Sequence, residues 1–131
     1  MLFRSAWDQA CAPAICGTDP EVVVAGLTPE TARAANIDIV TDAFPFRANG
    51  RAMTLASVTG FIRMVARADN HLLLGIQGVG AGISELSAAF SLAIEMGARL
   101  EDIAGTVFAH PTLSEGMLEA AMKTLGQPIH I

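Results

Sequence analysis

Apolar positions along this chain change their period once, and the change divides it into two kinds of structure. In the first part they alternate or form short runs broken by turn residues. "AICGTDPEVVVAG" reads as extended chain, with a strand around Val22 to Ala25 that closes at Gly26. "TPETARAAN" then predicts a short helix, with Thr28 as N-cap, Pro29 at the first helical position and Asn36 suited to a left-handed stop. Ile37, Ile39, Phe44 and Phe46 mark a further strand, interrupted at Pro45. Proline has no N–H to give a ladder, so that strand belongs at a sheet edge or bulges there. Asn49-Gly50 is a turn signal.

"GFIRMVARA" and "HLLLGIQGV", joined through Asp69 and Asn70, predict an antiparallel hairpin. Ile62, Met64 and Ala66 fall on one face, with Arg63 and Arg67 on the other, as in a sheet with one buried face. After the hairpin the period becomes helical. Ile83, Leu86, Phe90, Ala93, Ile94 and Gly97 form one stripe. "LEDIAGTVFA" starts a second helix with Glu101 and Asp102 in its first turn, where the helix dipole favours negative charge. Leu113 to Leu125 make a last one. Strands first and most helices afterwards predict an α+β fold, an antiparallel sheet packed against helices.

Composition adds a surface to explain. The 131 residues are 52% hydrophobic and only 16% charged, against about 25% charged in ordinary soluble domains. One domain of this size can bury roughly two thirds of its unfolded surface. No charge-free run approaches the roughly 18 apolar residues of a membrane span, so no membrane association is expected. The apolar excess therefore points to a face that another chain or domain covers. Net charge is −5, without a basic stripe, and nucleic acid is not expected as a partner. "MLFRSAW" has the pattern of neither a signal peptide nor a transit peptide.

Four motifs carry candidate chemistry. Thr112-x-x-Glu115 matches a capping box, and Glu115, Glu119 and Lys123 recur at i, i+4 and i+8 as a solvated helix stripe would. His110, held extended by Pro111, could instead receive a hydrogen bond partner in Glu115, the orienting arrangement of a general base. "GVGAG" (78–82) lacks both the Gly-x-Gly-x-x-Gly spacing and a Walker lysine, so close sheet-to-helix packing is expected of it. His71 and His130 have no partners at metal spacing, and no metal site is expected. Cys11 and Cys16 flank Pro13 five residues apart and read as two ordinary thiols.

"TDPEVVVAGLTPE", "FPFRANGRA", "GFIRMVARADNHLLLGIQGVGAGISEL" and "LEDIAGTVFAHPTLSEGMLEAA" occur in the order of the C-terminal dimerisation domain of flavin disulfide oxidoreductases. The resemblance runs over about residues 13 to 126, and its "HPTLSE" is similar to the dihydrolipoamide dehydrogenase branch. It implies a dimerisation (interface) domain over 13–131, with 1–12 as a linker or remnant.

The resemblance further implies that His110 and Glu115 are the catalytic acid–base pair. His110 would reach across the dimer to the partner's flavin and redox disulfide, and take a proton from dihydrolipoamide. The backbone at His110 and Pro111 would lie near that flavin. Cofactors would be FAD and NAD in the intact parent enzyme and none in this fragment, which alone would not turn over. Partners would be a second copy, as a homodimer, and lipoyl-bearing 2-oxoacid dehydrogenase complexes. The implied setting is cytoplasmic.

The sequence departs from the family pattern at Gly17, where a bulky aromatic is usual, and at Phe108, where lipoamide members often carry histidine. Three other readings stand beside this one. The chain could be an assembly or scaffold module with an idle pair, or the same domain of another flavin disulfide reductase. It could also be an independent hydrolase or isomerase using His110 and Glu115, which requires a closed pocket around His110 within one chain.

Overall fold

The predicted hairpin lies at the middle of the sheet. A computed structural model describes residues 12–131; residues 1–11, including Cys11 and all but the last residue of the expected N-terminal linker, lie outside the described residues. The strands are β1 (Pro13–Cys16), β2 (Glu21–Gly26), β3 (Ile39–Pro45), β4 (Phe61–Arg67) and β5 (Leu73–Gly80). They form one sheet in the order β1-β2-β5-β4-β3, antiparallel at every pairing. β1 lies at the start of the stretch read as extended chain, ahead of the strand around Val22 to Ala25. Its four residues are all exposed, so no alternation of burial marks it in the sequence. β3 is an edge strand ending at Pro45, as the missing N–H requires.

One face of the sheet carries Val23, Ala25, Phe44, Ile62, Met64 and Ile76, all essentially inaccessible. The registers Val23↔Gly78, Ile62↔Gly78 and Met64↔Ile76 align these residues across three strands. Each of the larger of these side chains, those of Val23, Phe44, Ile62, Met64 and Ile76, contributes about 1.5–3 kcal/mol on removal from water. The opposite face is not bare, because Val65 and Gln77 are also buried. The amide Nε2 of Gln77 donates to the Leu27 carbonyl at 2.8 Å, and Arg63 Nε donates to Gln77 Oε1 at 2.9 Å.

Among the described residues, five α-helices complete the fold: α1 (Pro29–Ala34), α2 (Gly50–Thr54), α3 (Ser87–Glu95), α4 (Leu100–Ala104) and α5 (Glu115–Thr124). α1 is capped as predicted. Thr28 accepts from the Thr31 amide, and Asn36 takes φ of 58° just beyond the helix. The helical stripe after residue 82 begins as a 3-10 turn, Ile83–Leu86, and continues as α3 with Phe90 fully buried. α3 packs on β2 and β5, and α5 packs on β3, β4 and α4.

Gly78 shows why the "GVGAG" segment is glycine-rich. A Cβ there would sit 2.5 Å from Ile83 Cγ1 and 3.2 Å from Phe90 Cε2. The absent side chain lets helix and sheet meet, which is the packing role expected of the motif.

Asn49-Gly50 differs from its expectation. The pair starts helix α2, with Asn49 as the N-cap accepting from the Ala52 amide at 2.9 Å. A side-chain carbonyl that can satisfy a turn can equally satisfy a free helix amide, so local sequence does not separate the two.

Candidate active site

The site is built on the first turn of α5. Glu115 Oε1 accepts from the Thr112 amide at 2.9 Å, and the Glu115 amide donates to Thr112 Oγ1 at 3.3 Å. This is the reciprocal arrangement of a capping box. Thr112 Oγ1 also donates to the Ala109 carbonyl at 2.7 Å, and Ser114 Oγ donates to Thr112 Oγ1 at 3.0 Å. The segment from Ala109 to Glu115 is therefore tied to itself at both ends. The His110–Pro111 peptide within it is cis.

Glu115 does more than cap. Its two carboxylate oxygens lie 3.0 and 3.1 Å from His110 Nδ1. The helix reading and the acid–base reading are thus compatible, because a carboxylate has about four acceptor directions and this one serves both groups. With Nδ1–H donating to Glu115, the lone pair of the neutral ring lies on Nε2. The His110 side chain is 75% exposed while that of Glu115 is only 23% exposed. An open base is thus backed by a mostly covered carboxylate at a helix N-terminus, where the dipole favours its charge.

His110 borders a shallow cleft of about 50 Å³, lined also by Phe44, Asn49, Gly50, Glu119 and His130. That volume holds little more than water. The closed pocket that an independent hydrolase or isomerase needs is not built around His110 by the described residues.

Sequence reasoning misread Glu119. It is not on a solvated stripe but 7% exposed, and its Oε1 lies 2.5 Å from Nδ1 of His130 in the C-terminal segment. Lys123 likewise turns inward, donating to the Ala43 carbonyl at 2.9 Å and lying 3.7 Å from Asp42. The i, i+4, i+8 spacing gives a shared helix face, and here β3 and the C-terminal segment cover it. His71, unassigned in the sequence, pairs with Glu101. The hydrogen bond from His71 holds the Glu101 carboxyl below its ordinary range. No group of three or more His, Cys, Asp or Glu among the described residues is placed to hold a metal. Cys16 is a free, exposed thiol.

Phe108 does not border the histidine cleft. It turns into a separate apolar groove of about 330 Å³ together with Leu92, Met96, Ile103 and Met117. Met96 beside it is 75% exposed, and the neighbouring Val107 is 96% exposed. No helix among the described residues is long and apolar enough to cross a membrane.

An antiparallel sheet with α3 and α5 over one face, an exposed apolar groove and an open histidine–carboxylate pair define an α+β domain. Residues 12–121 match the family model of the pyridine nucleotide-disulphide oxidoreductase dimerisation domain. The chain belongs to that family. It is 62% identical over 119 residues to dihydrolipoyl dehydrogenase of Pseudomonas aeruginosa, covering 91% of this chain and 26% of that protein. It is 51% identical over 126 residues to dihydrolipoyl dehydrogenase 2 of Haloarcula marismortui, covering 96% and 27%. Among solved structures, LpdA of Mycobacterium tuberculosis superposes with a TM-score of 0.84 at 25% identity over 91% of this chain and 26% of that one. The flavoprotein disulfide reductase RclA of Escherichia coli shares the fold, with a TM-score of 0.83 at 22% identity over 90% of this chain and 27% of that one. The chain thus spans about a quarter of the length of its curated relatives.

Proposed function

We propose that this chain is the dimerisation domain of a dihydrolipoamide dehydrogenase and supplies the acid–base half of its active site. The observation that carries this reading is His110 Nδ1 bound to both oxygens of Glu115 while the rest of the ring stays open. A ring oriented this way can take a proton at Nε2, and the adjacent carboxylate stabilises the imidazolium that results. The proton would come from one thiol of dihydrolipoamide. The thiolate would then attack a cysteine disulfide of the second subunit, forming a mixed disulfide as the cysteine–cysteine bond breaks.

FAD and NAD, held by other domains of such an enzyme, would supply the redox chemistry that takes up the electron pair. Each described strand pairs antiparallel with its neighbours, without the parallel βαβ unit of dinucleotide-binding folds, which supports assigning FAD and NAD to other domains. The openness of His110 and the exposed apolar groove support a homodimer in which the site is completed across the interface. Engagement of lipoyl-bearing 2-oxoacid dehydrogenase complexes in a cytoplasmic setting is part of the same proposal.

A chimera tests it. Residues 13–131 replace the matching domain of the P. aeruginosa enzyme, which is 62% identical. The chimera should oxidise dihydrolipoamide with NAD, and His110→Gln should lower that turnover by about 10²–10⁴. Reduction of the flavin by NADH, which needs no thiol deprotonation, should be unaffected. Equal dihydrolipoamide turnover with Gln at position 110 would overturn the proposal. This chain alone, with FAD added, should form no NADH.

A further inference from the structure

We propose that Asn49 is a positioning residue for the His110–Glu115 pair, an inference that rests on reading that pair as an acid–base site. Asn49 is a buried polar side chain, 4% exposed, from a part of the chain far from the site in sequence. Each end of its amide has a separate partner. Oδ1 accepts from the Ala52 amide at 2.9 Å and caps α2. Nδ2 donates to the Thr112 carbonyl at 3.0 Å, across 63 residues.

The second bond is the one that reaches the site. The Thr112 amide donates to Glu115 Oε1 at 2.9 Å, and the same oxygen lies 3.0 Å from His110 Nδ1. Three consecutive hydrogen bonds therefore run from Asn49 through the backbone of Thr112 and the Glu115 carboxylate to the imidazole. The next residue supports the same arrangement. A Cβ on Gly50 would lie 3.7 Å from His110 Cε1, so α2 begins directly beside the ring. α2 has five residues and offers no anion site of its own. The role assigned to it is mechanical: Asn49 fixes the loop that fixes the carboxylate that fixes the ring. Buried side-chain amides of this kind specify geometry because breaking either bond leaves a polar group unpaired.

A pure capping role for Asn49 makes a different prediction, and the two separate by substitution. Asn49→Asp keeps a capping oxygen for the Ala52 amide but replaces the donor with an oxygen facing the Thr112 carbonyl. Asn49→Ser keeps a capping oxygen without adding charge, and its hydroxyl is too short to reach Thr112. The readout is the ring ¹⁵N spectrum of this chain at a pH where the imidazoles are neutral. In the unsubstituted chain His110 should be mainly the Nδ1–H tautomer, as its bond to Glu115 requires.

Either substitution that leaves the chain folded should move His110 towards Nε2–H, with His71 unchanged as the internal control. An unaltered His110 tautomer in a folded Asn49→Asp or Asn49→Ser chain would overturn the proposal. An Nε2–H tautomer in the unsubstituted chain would count first against the acid–base reading itself, so the two failures are distinguishable.

Discussion

Glu115 Oε1 lies 2.9 Å from the amide of Thr112 and 3.0 Å from His110 Nδ1, so one oxygen serves a helix start and a candidate base together. The structural and chemical roles can be separated by experiment because the two partners differ in exposure. Glu115→Ala removes the acceptor for the Thr112 amide and should destabilise the chain by about 1–2 kcal/mol in urea unfolding. His110→Ala removes a ring that is 75% exposed and should stay within about 0.5 kcal/mol of the parent. Equal losses from the two substitutions would mean that the ring, not the cap, holds the loop.

Beyond the backbone bonds of Gly126 and Gln127, the Glu119–His130 pair ties down the C-terminal segment. Glu119 is 7% exposed, and the only hydrogen bond described for its carboxylate comes from His130, 2.5 Å away. His130→Ala should therefore cost more than an exposed histidine ordinarily does, about 1–3 kcal/mol, because it leaves a buried carboxylate without that partner. The His130→Ala/Glu119→Gln double variant should recover part of the loss, since a neutral amide is cheaper to bury than an unpaired charge. Additive losses in the double variant would show that the two side chains are not coupled.

How much of this could be read in the sequence depended on the distance between partners. The cap of α1, the β4–β5 hairpin and the packing of Gly78 all follow from residues a few positions apart, where backbone geometry fixes who meets whom. The Thr112–Glu115 box and the His110–Glu115 contact were legible for the same reason. Asn49 with Thr112, Glu119 with His130 and Lys123 with Ala43 were not. The first and third join segments 63 and 80 residues apart. The second is only 11 apart, but it depends on the chain folding back after α5. In each case the local pattern offered an adequate simpler partner: solvent for Glu119 and Lys123, a turn for Asn49.

Two glycines predict opposite outcomes. A Cβ on Gly75 would lie 1.8 Å from the Leu27 carbonyl oxygen and 2.7 Å from its nitrogen, both rigid backbone. Gly75→Ala should cost about 2 kcal/mol or more, since the β5–Leu27 approach has no flexible atom to yield. Gly17 has nothing within 4 Å of its Cβ position. Gly17→Phe should change the stability of this chain by no more than about 0.5 kcal/mol in thermal or urea unfolding. A large stabilisation by Gly17→Phe would indicate a packing partner for that position and contradict the open surroundings.

Acid should weaken the contact between α4 and the β4–β5 turn. The hydrogen bond from His71 is the largest cause holding the Glu101 carboxyl below its ordinary value, with smaller help from its own amide and the charges of His71 and Arg99. A carboxyl whose folded value is depressed favours the deprotonated fold, so the unfolded chain binds more protons through the acid range. The contribution is therefore complete above the ordinary carboxylate range and is lost as pH falls through the lower folded value. Both partners are substantially exposed, so water and salt screen the effect. Comparing the parent with Glu101→Gln between about pH 6 and pH 3 isolates it. The parent should lose more thermal stability on acidification than the variant. Parallel curves would assign the acid sensitivity to other carboxylates, among them Glu21, whose carboxyl is also lowered by its hydrogen bonds with Ser84.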